Sequence, residues 1–262
     1  KINGVAMQDS YMQLFSSGII GFILAGYAFS MPACETHKAQ GGSSVAEMFN
    51  VKAFALFKDR QFAVFFIFSM LLGTFLQITN GYANMFLGSF GSNPAYADTF
   101  AVKNSNALIS LSQISETLCI LLIPICMRRL GIKKVMLVSM GAWVLRFGFF
   151  GLGNPAMPGV LFFVLSCLVY GVAFDFFNIS GSLFVEQNTS SDIRSSAQGL
   201  FLLMTNGLGT ALGTLLAGVV MDLFVFNAAQ PRWDYAWYFF SGYALVVAFA
   251  FMICFKDPMK RR

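Results

Sequence analysis

"FAVFFIFSMLLGTFLQITNGYANMFL" occupies residues 62–87. It carries no charge, and a bilayer span needs only about 20 mostly apolar residues. Yet its second half holds Gln77, Thr79, Asn80 and Asn84. A polar side chain in hydrocarbon is costly unless it meets a partner or a water-filled cavity. The stretch therefore reads as a membrane helix with a polar face, and Gln77 and Asn80, three residues apart, share that face.

Composition carries the same reading to the whole chain. Of 262 residues 57% are hydrophobic and only 11% charged, with a mean hydropathy of +0.68, which excludes an ordinary soluble globular domain. Further spans are expected over residues 11–33, 105–127, 133–152, 159–184, 197–226 and 235–255. The expected fold class is an all-α polytopic membrane protein. The start at Lys1 shows neither a basic leader region nor a small-residue cleavage site, so a fragment of a longer protein is expected.

The net charge of +5 could suggest nucleic acid, but in a membrane protein the distribution of basic residues matters more than their sum. Apart from Lys1, Lys103, Arg146 and Arg232, every Lys and Arg falls in alternate connections or at the C-terminal end. The positive-inside rule makes that side cytoplasmic, with the C-terminus on it. The loop from Glu35 to Lys58 reads as a linker followed by an interfacial helix over Val45 to Phe57. His37, in this loop, reads as a solvated residue. Cys34, Cys119, Cys126, Cys167 and Cys254 have no CxxC spacing and read as packing residues, so neither a disulfide framework nor a metal site is expected.

Three spans carry polar sets at helical spacing. Gln77 and Asn80 offer amide donors and carbonyl acceptors suited to a planar, nucleobase-like edge, and interhelical hydrogen bonding is the competing reading. "SQISET" (112–117) repeats the spacing with Gln113 and Glu116. A carboxylate there points to hydroxyl binding or proton exchange, with pairing to Arg146 of the following span as the alternative. "YGVAFDFFNISGS" (170–182) stacks Tyr170 over Phe174, with Asp175 next and Asn178 three beyond it. Aromatic planes beside a carboxylate suit a ligand with a flat ring and sugar hydroxyls. Gly209 and Gly213, in "GLGTALGTLLAG" (207–218), have the spacing that lets helices approach closely. GxSxG, HExxH, Walker and GxGxxG patterns are lacking, so neither an enzyme nor a cofactor is expected.

With these residues aligned, the chain resembles the nucleoside:proton symporter family of the major facilitator superfamily, the G-type nucleoside permeases. The matching stretches are "LQITNGYANMFL" (76–87), "LSQISETLCILLIPICMRRLGIKKVML" (111–137), "YGVAFDFFNISGSLFVE" (170–186) and "RSSAQGLF" (194–201). "MRRLGIKK" (127–134) also looks like a degenerate copy of the superfamily's basic loop motif. The resemblance implies residues 61–256 as the C-terminal six-helix bundle, residues 1–34 as the last helix of a truncated N-terminal bundle, residues 35–60 as the connecting cytoplasmic loop, and residues 257–262 as a cytoplasmic tail. It also implies Gln77, Asn80, Gln113, Glu116, Tyr170, Phe174 and Asp175 as nucleoside-binding positions, with Glu116 and Asp175 as candidates for proton coupling. The implied activity is proton-linked nucleoside import by alternating access across a bacterial inner membrane. The implied partners are a nucleoside, protons, the lipid bilayer and the N-terminal bundle, with no nucleic acid. A major facilitator carrier for another sugar or polyol, and a non-transporting membrane interaction module, remain open alternatives.

Overall fold

A computed structural model describes residues 12–32 and 51–256. Cys34, His37, the loop up to residue 50 and residues 257–262 lie outside the described residues. The chain divides into two units, Lys1–Met48 and Phe49–Arg262. In the first, α1 (Met12–Phe29) is an apolar helix without acidic residues in its first turn or basic ones in its last.

The first described element of the second unit is a 3-10 helix, Val51–Lys58, which overlaps the end of the interfacial helix expected over Val45 to Phe57; the start of that expected helix lies outside the described residues. Asp59 then caps the next helix: its Oδ1 accepts from the backbone amides of Gln61 and Phe62 at 2.7 and 3.2 Å, satisfying donors the first turn leaves open. The helices that follow are α2 (Arg60–Ser89), the short α3 (Phe100–Lys103), α4 (Ser105–Leu130), α5 (Ile132–Leu152) and α6 (Val160–Asn188). A long rod comes next: α7 (Arg194–Leu202), a π-helical segment (Leu203–Gly209), α8 (Thr210–Met221) and a second π segment (Asp222–Phe226). The last helix is α9 (Trp233–Cys254). Among the described residues 6 helices are long and apolar enough to cross a membrane: α2, α4, α5, α6, the rod and α9.

The turn in "MRRLGIKK" is short because Gly131 sits at φ 78, a left-handed conformation that costs glycine nothing. Its single residue joins α4 to α5 and keeps Arg128, Arg129, Lys133 and Lys134 at one end of the bundle. Gln61 Nε2 donates to the Lys256 carbonyl at 2.9 Å, and Lys133 Nζ to that of Met252 at 2.8 Å. The start of α2, the α4–α5 turn and the end of α9 thus lie together, and with them Arg60, Arg128, Arg129, Lys133, Lys134 and Lys256.

Inside, α6 packs on α4 and α5, α5 on α9, and α2 on the rod. Phe65, Phe75, Trp143, Phe147, Phe150, Phe163, Trp237 and Phe240 are fully buried. Most of these rings meet at a tilt, and Phe75 meets Phe147 edge-on at 6.0 Å and 81°. Between helices in lipid, such contacts and close backbone approach supply the cohesion that water exclusion supplies elsewhere. Gly209 and Gly213 serve that purpose against α2. A Cβ on Gly209 would stand 2.9 Å from the Gly73 Cα, and one on Gly213 2.9 Å from the Gln77 Cβ.

Candidate functional site

The exposed and buried sectors of α4 separate cleanly by helix angle. Ser112, Ser115, Cys119 and Ile123 form its buried stripe. Ile114, Leu118, Leu121 and Ile125 form an exposed apolar stripe suited to lipid. Gln113, exposed, and Glu116, half-buried, occupy the sector between them, at about 100° per residue. On α2 the corresponding sector runs Gln77, Asn80, Gly81, Asn84 and Gly88. A Cβ added at Gly81 or Gly88 would meet nothing within 4 Å, so this polar stripe borders open space. Asn84 Nδ2 donates to Asn106 Oδ1 at 2.9 Å, tying the stripe of α2 to the start of α4.

The third wall is α6. Tyr170 and Phe174 are stacked, their rings 5.9 Å apart and 3° from parallel. Gly171 brings this wall against α4: a Cβ there would stand 2.6 Å from the Ser115 carbonyl carbon and 2.7 Å from the Glu116 amide nitrogen. Ser115 Oγ donates to the Leu168 carbonyl across the same contact. Glu116 and the start of the Tyr170–Asp175 segment are consequently neighbours. Asp175 is 5% exposed, and its Oδ2 has no hydrogen-bond partner. It lies fifteen residues into α6, near mid-helix, because that helix runs one turn past the expected end, to Asn188.

The span polar groups divide into two classes. Hydroxyls are satisfied by backbone carbonyls: Ser69 on Phe65 O, Thr74 on Leu71 O and Thr205 on Phe201 O within their own helices, and Ser139 on Ala173 O across to α6. The side chains of Gln77, Asn80, Gln113 and Glu116 have no hydrogen-bond partner among the described residues. Among the described residues the interhelical-glue reading given for Gln77 and Asn80 therefore fails. So does the ion pair of Glu116 with Arg146, since the salt bridges among the described residues are Lys103–Asp98 and Arg232–Asp234.

Arg146 instead lies 2% exposed inside α5. Its Nη1 donates to the Ser166 carbonyl at 2.9 Å and to Ser112 Oγ at 3.5 Å, and Nε donates to Thr79 Oγ1 at 3.4 Å. Its Cζ stands 4.2 Å from the Tyr170 ring centroid, a cation–π contact. The sequence reading noted this residue only as a possible partner of Glu116. A lone cation in a span, with serines on the neighbouring spans, was the signal available.

Residues 2–260 match the family described as nucleoside H+ symporter. The chain belongs to that family. It is 48% identical over 247 residues to the nucleoside permease NupG of Escherichia coli K12, covering 94% of this chain and 59% of the permease. It is 46% identical over 257 residues to the xanthosine permease of the same organism, covering 97% of this chain and 61% of that protein. Its structure is similar to that of an aspartate-to-alanine mutant of nucleoside transporter NupG, with a TM-score of 0.82 at 48% identity, covering 94% of this chain and 61% of that one. The chain thus spans about three fifths of the length of the curated relatives it matches. The all-α bundle of the family is the fold that composition and resemblance implied.

Proposed function

We propose that the chain supplies the C-terminal transport bundle of a proton-coupled nucleoside importer working by alternating access. The observation that carries the reading is the unpartnered polar set. Two amides on α2, an amide and a carboxylate on α4, and Asp175 with an unbonded oxygen on α6 lie beside a stacked aromatic pair. Polar groups in a span that the fold does not use need a ligand or water to satisfy them. A nucleoside matches the set by chemistry. The Gln77, Asn80 and Gln113 amides pair with base-edge donors and acceptors, Glu116 and Asp175 accept from ribose hydroxyls, and Tyr170 and Phe174 offer a face to the ring.

The relatives are named for nucleosides and for xanthosine, which supports the substrate class. Residues 61–256 act as the transport bundle, preceded by residues 1–34 as the last helix of an N-terminal bundle and residues 35–60 as the loop between them. Residues 257–262 form a tail. The protein resides in a bacterial cytoplasmic membrane with its C-terminus inside, as the basic residues gathered at one end support. Glu116 and Asp175 couple transport to protons by binding a proton with different affinity in the outward-open and inward-open states, the condition for any ligand to shift such an equilibrium.

The test is labelled-uridine and labelled-xanthosine uptake into cells lacking nucleoside carriers, using the native reading frame, with and without a protonophore. Uptake that collapses with the proton gradient and resists competition by free ribose is the expected result. Ribose that competes fully would move the substrate class to sugars, and well-inserted protein with no uptake would overturn the reading.

A further inference from the structure

We infer that Arg146 is a positioning residue that fixes the three polar walls relative to one another and holds the Tyr170 ring in place; as a role in nucleoside binding, this rests on the function proposed above. Its contacts on α2, α4 and α6 fall on, beside or one turn from candidate ligand-binding residues. Thr79 precedes Asn80 on α2, and Ser112 precedes Gln113 on α4. On α6, Ser166 lies one turn before Tyr170, and Arg146 meets both. The Ser166 link is reciprocal, since Ser166 Oγ donates back to the Arg146 carbonyl at 2.9 Å. One side chain from α5, a helix that contributes no candidate ligand itself, thereby touches every helix that does.

The contacts suit a planar guanidinium and not a point charge. The fork reaches acceptors on three helices while its face lies over the Tyr170 ring. Trp143, one turn earlier on α5, meets that ring edge-on at 5.9 Å and 90°. Tyr170 is held between these two side chains and passes its orientation to Phe174 through their parallel stacking. Arg146 also pays for its burial without a carboxylate, through hydroxyls, a carbonyl and π faces, including that of Phe150 at 5.2 Å. Glu116 and Asp175 are left free for ligand and proton. Had Arg146 paired with either, the site would have lost a carboxylate.

The experiment uses the full chain, purified from membranes, as Arg146→Met, Arg146→Lys, Tyr170→Leu and the Arg146→Met/Tyr170→Leu double variant. Each is read by thermal unfolding and uridine affinity, with fluorotyrosine introduced at position 170 of the Arg146 variants for 19F NMR. Arg146→Met is expected to shift and broaden the position-170 resonance and to weaken uridine binding roughly tenfold. The double variant should bind no more weakly than Tyr170→Leu alone, because residues acting as a unit are not additive. Arg146→Lys, which keeps the charge and loses the planar fork, should recover only part of the affinity. If Arg146→Met fails to fold, Thr79→Val with Ser112→Ala removes two of its partners and should move the same resonance. A fluorine resonance unchanged in both sets, or additive losses of affinity, would overturn the inference. Wild-type protein that binds no nucleoside would sink the proposed function instead, while the resonance still decides whether Arg146 positions Tyr170.

Discussion

Gly171 offers a direct test of how the walls are held. A Cβ at this position would come within 2.6 Å of the Ser115 carbonyl carbon, whereas ordinary contact begins at 3.4 Å. The obstacle is backbone, so no rotamer change can relieve it, and α4 and α6 must part by about 0.8 Å, the difference of those two distances. Overpacking of this kind costs about 1–3 kcal/mol of stability. The separation falls between Glu116 and Tyr170, and binding constellations tolerate only about 0.5 Å of displacement. Gly171→Ala is therefore expected to lower the unfolding temperature and to weaken uridine binding about tenfold or more. Gly242→Ala on α9 is the control, since a Cβ there meets nothing within 4 Å. It should hold or slightly raise stability, because alanine is the better helix former. Both properties are measured on purified protein, by thermal unfolding in detergent and by equilibrium binding of labelled uridine. Gly171→Ala protein matching wild type in both would mean that α4 and α6 are not held at this distance, and the argument for adjacent Glu116 and Tyr170 would fail with it.

Gln77→Leu and Asn80→Leu should each reduce nucleoside affinity about three- to tenfold, the range of one lost hydrogen bond, while unfolding temperatures stay near wild type because neither amide bonds to another described residue; a fall in stability with unchanged affinity would return both residues to helix packing. Glu116→Gln and Asp175→Asn should flatten the pH dependence of uptake in whole cells, and a pH profile identical to wild type in both would remove them from proton coupling. Lys103, the last residue of α3, bonds Asp98 at 2.8 Å and holds its carboxyl below the usual carboxylate range. A depressed carboxylate favours folding above its unfolded pKa and loses that contribution as pH falls through the folded value. Lys103→Met should accordingly move the Asp98 titration upward in NMR; both side chains are exposed, so nucleoside affinity should not change.

The features legible in the sequence were those with a local period. Apolar runs of span length gave the helices within a turn of their observed ends, and three-residue spacing put Gln77 with Asn80 and Gln113 with Glu116 on shared faces. The close-approach role of Gly209 and Gly213 was likewise legible from their spacing, though its partners on α2, Gly73 and Thr74, were not. The π-helical turns at Leu203–Gly209 and Asp222–Phe226 left no trace in hydropathy, because shifting the hydrogen-bond register changes no residue's polarity.

Arg146 marks the boundary of what one sequence reveals. Pairing with Glu116 was a reasonable expectation, since a buried cation ordinarily finds a carboxylate. The structure satisfies it with two hydroxyls, a carbonyl and aromatic faces drawn from α2, α4, α5 and α6. Each of those groups is common and uninformative alone, and their sequence separations, 67, 34 and 20 residues for the hydrogen bonds, carry no period. Only tertiary packing assembles them. That assembly also bears on function: a guanidinium satisfied by neutral groups leaves both carboxylates uncommitted, and an uncommitted carboxylate in a span is what proton exchange with a passing substrate requires.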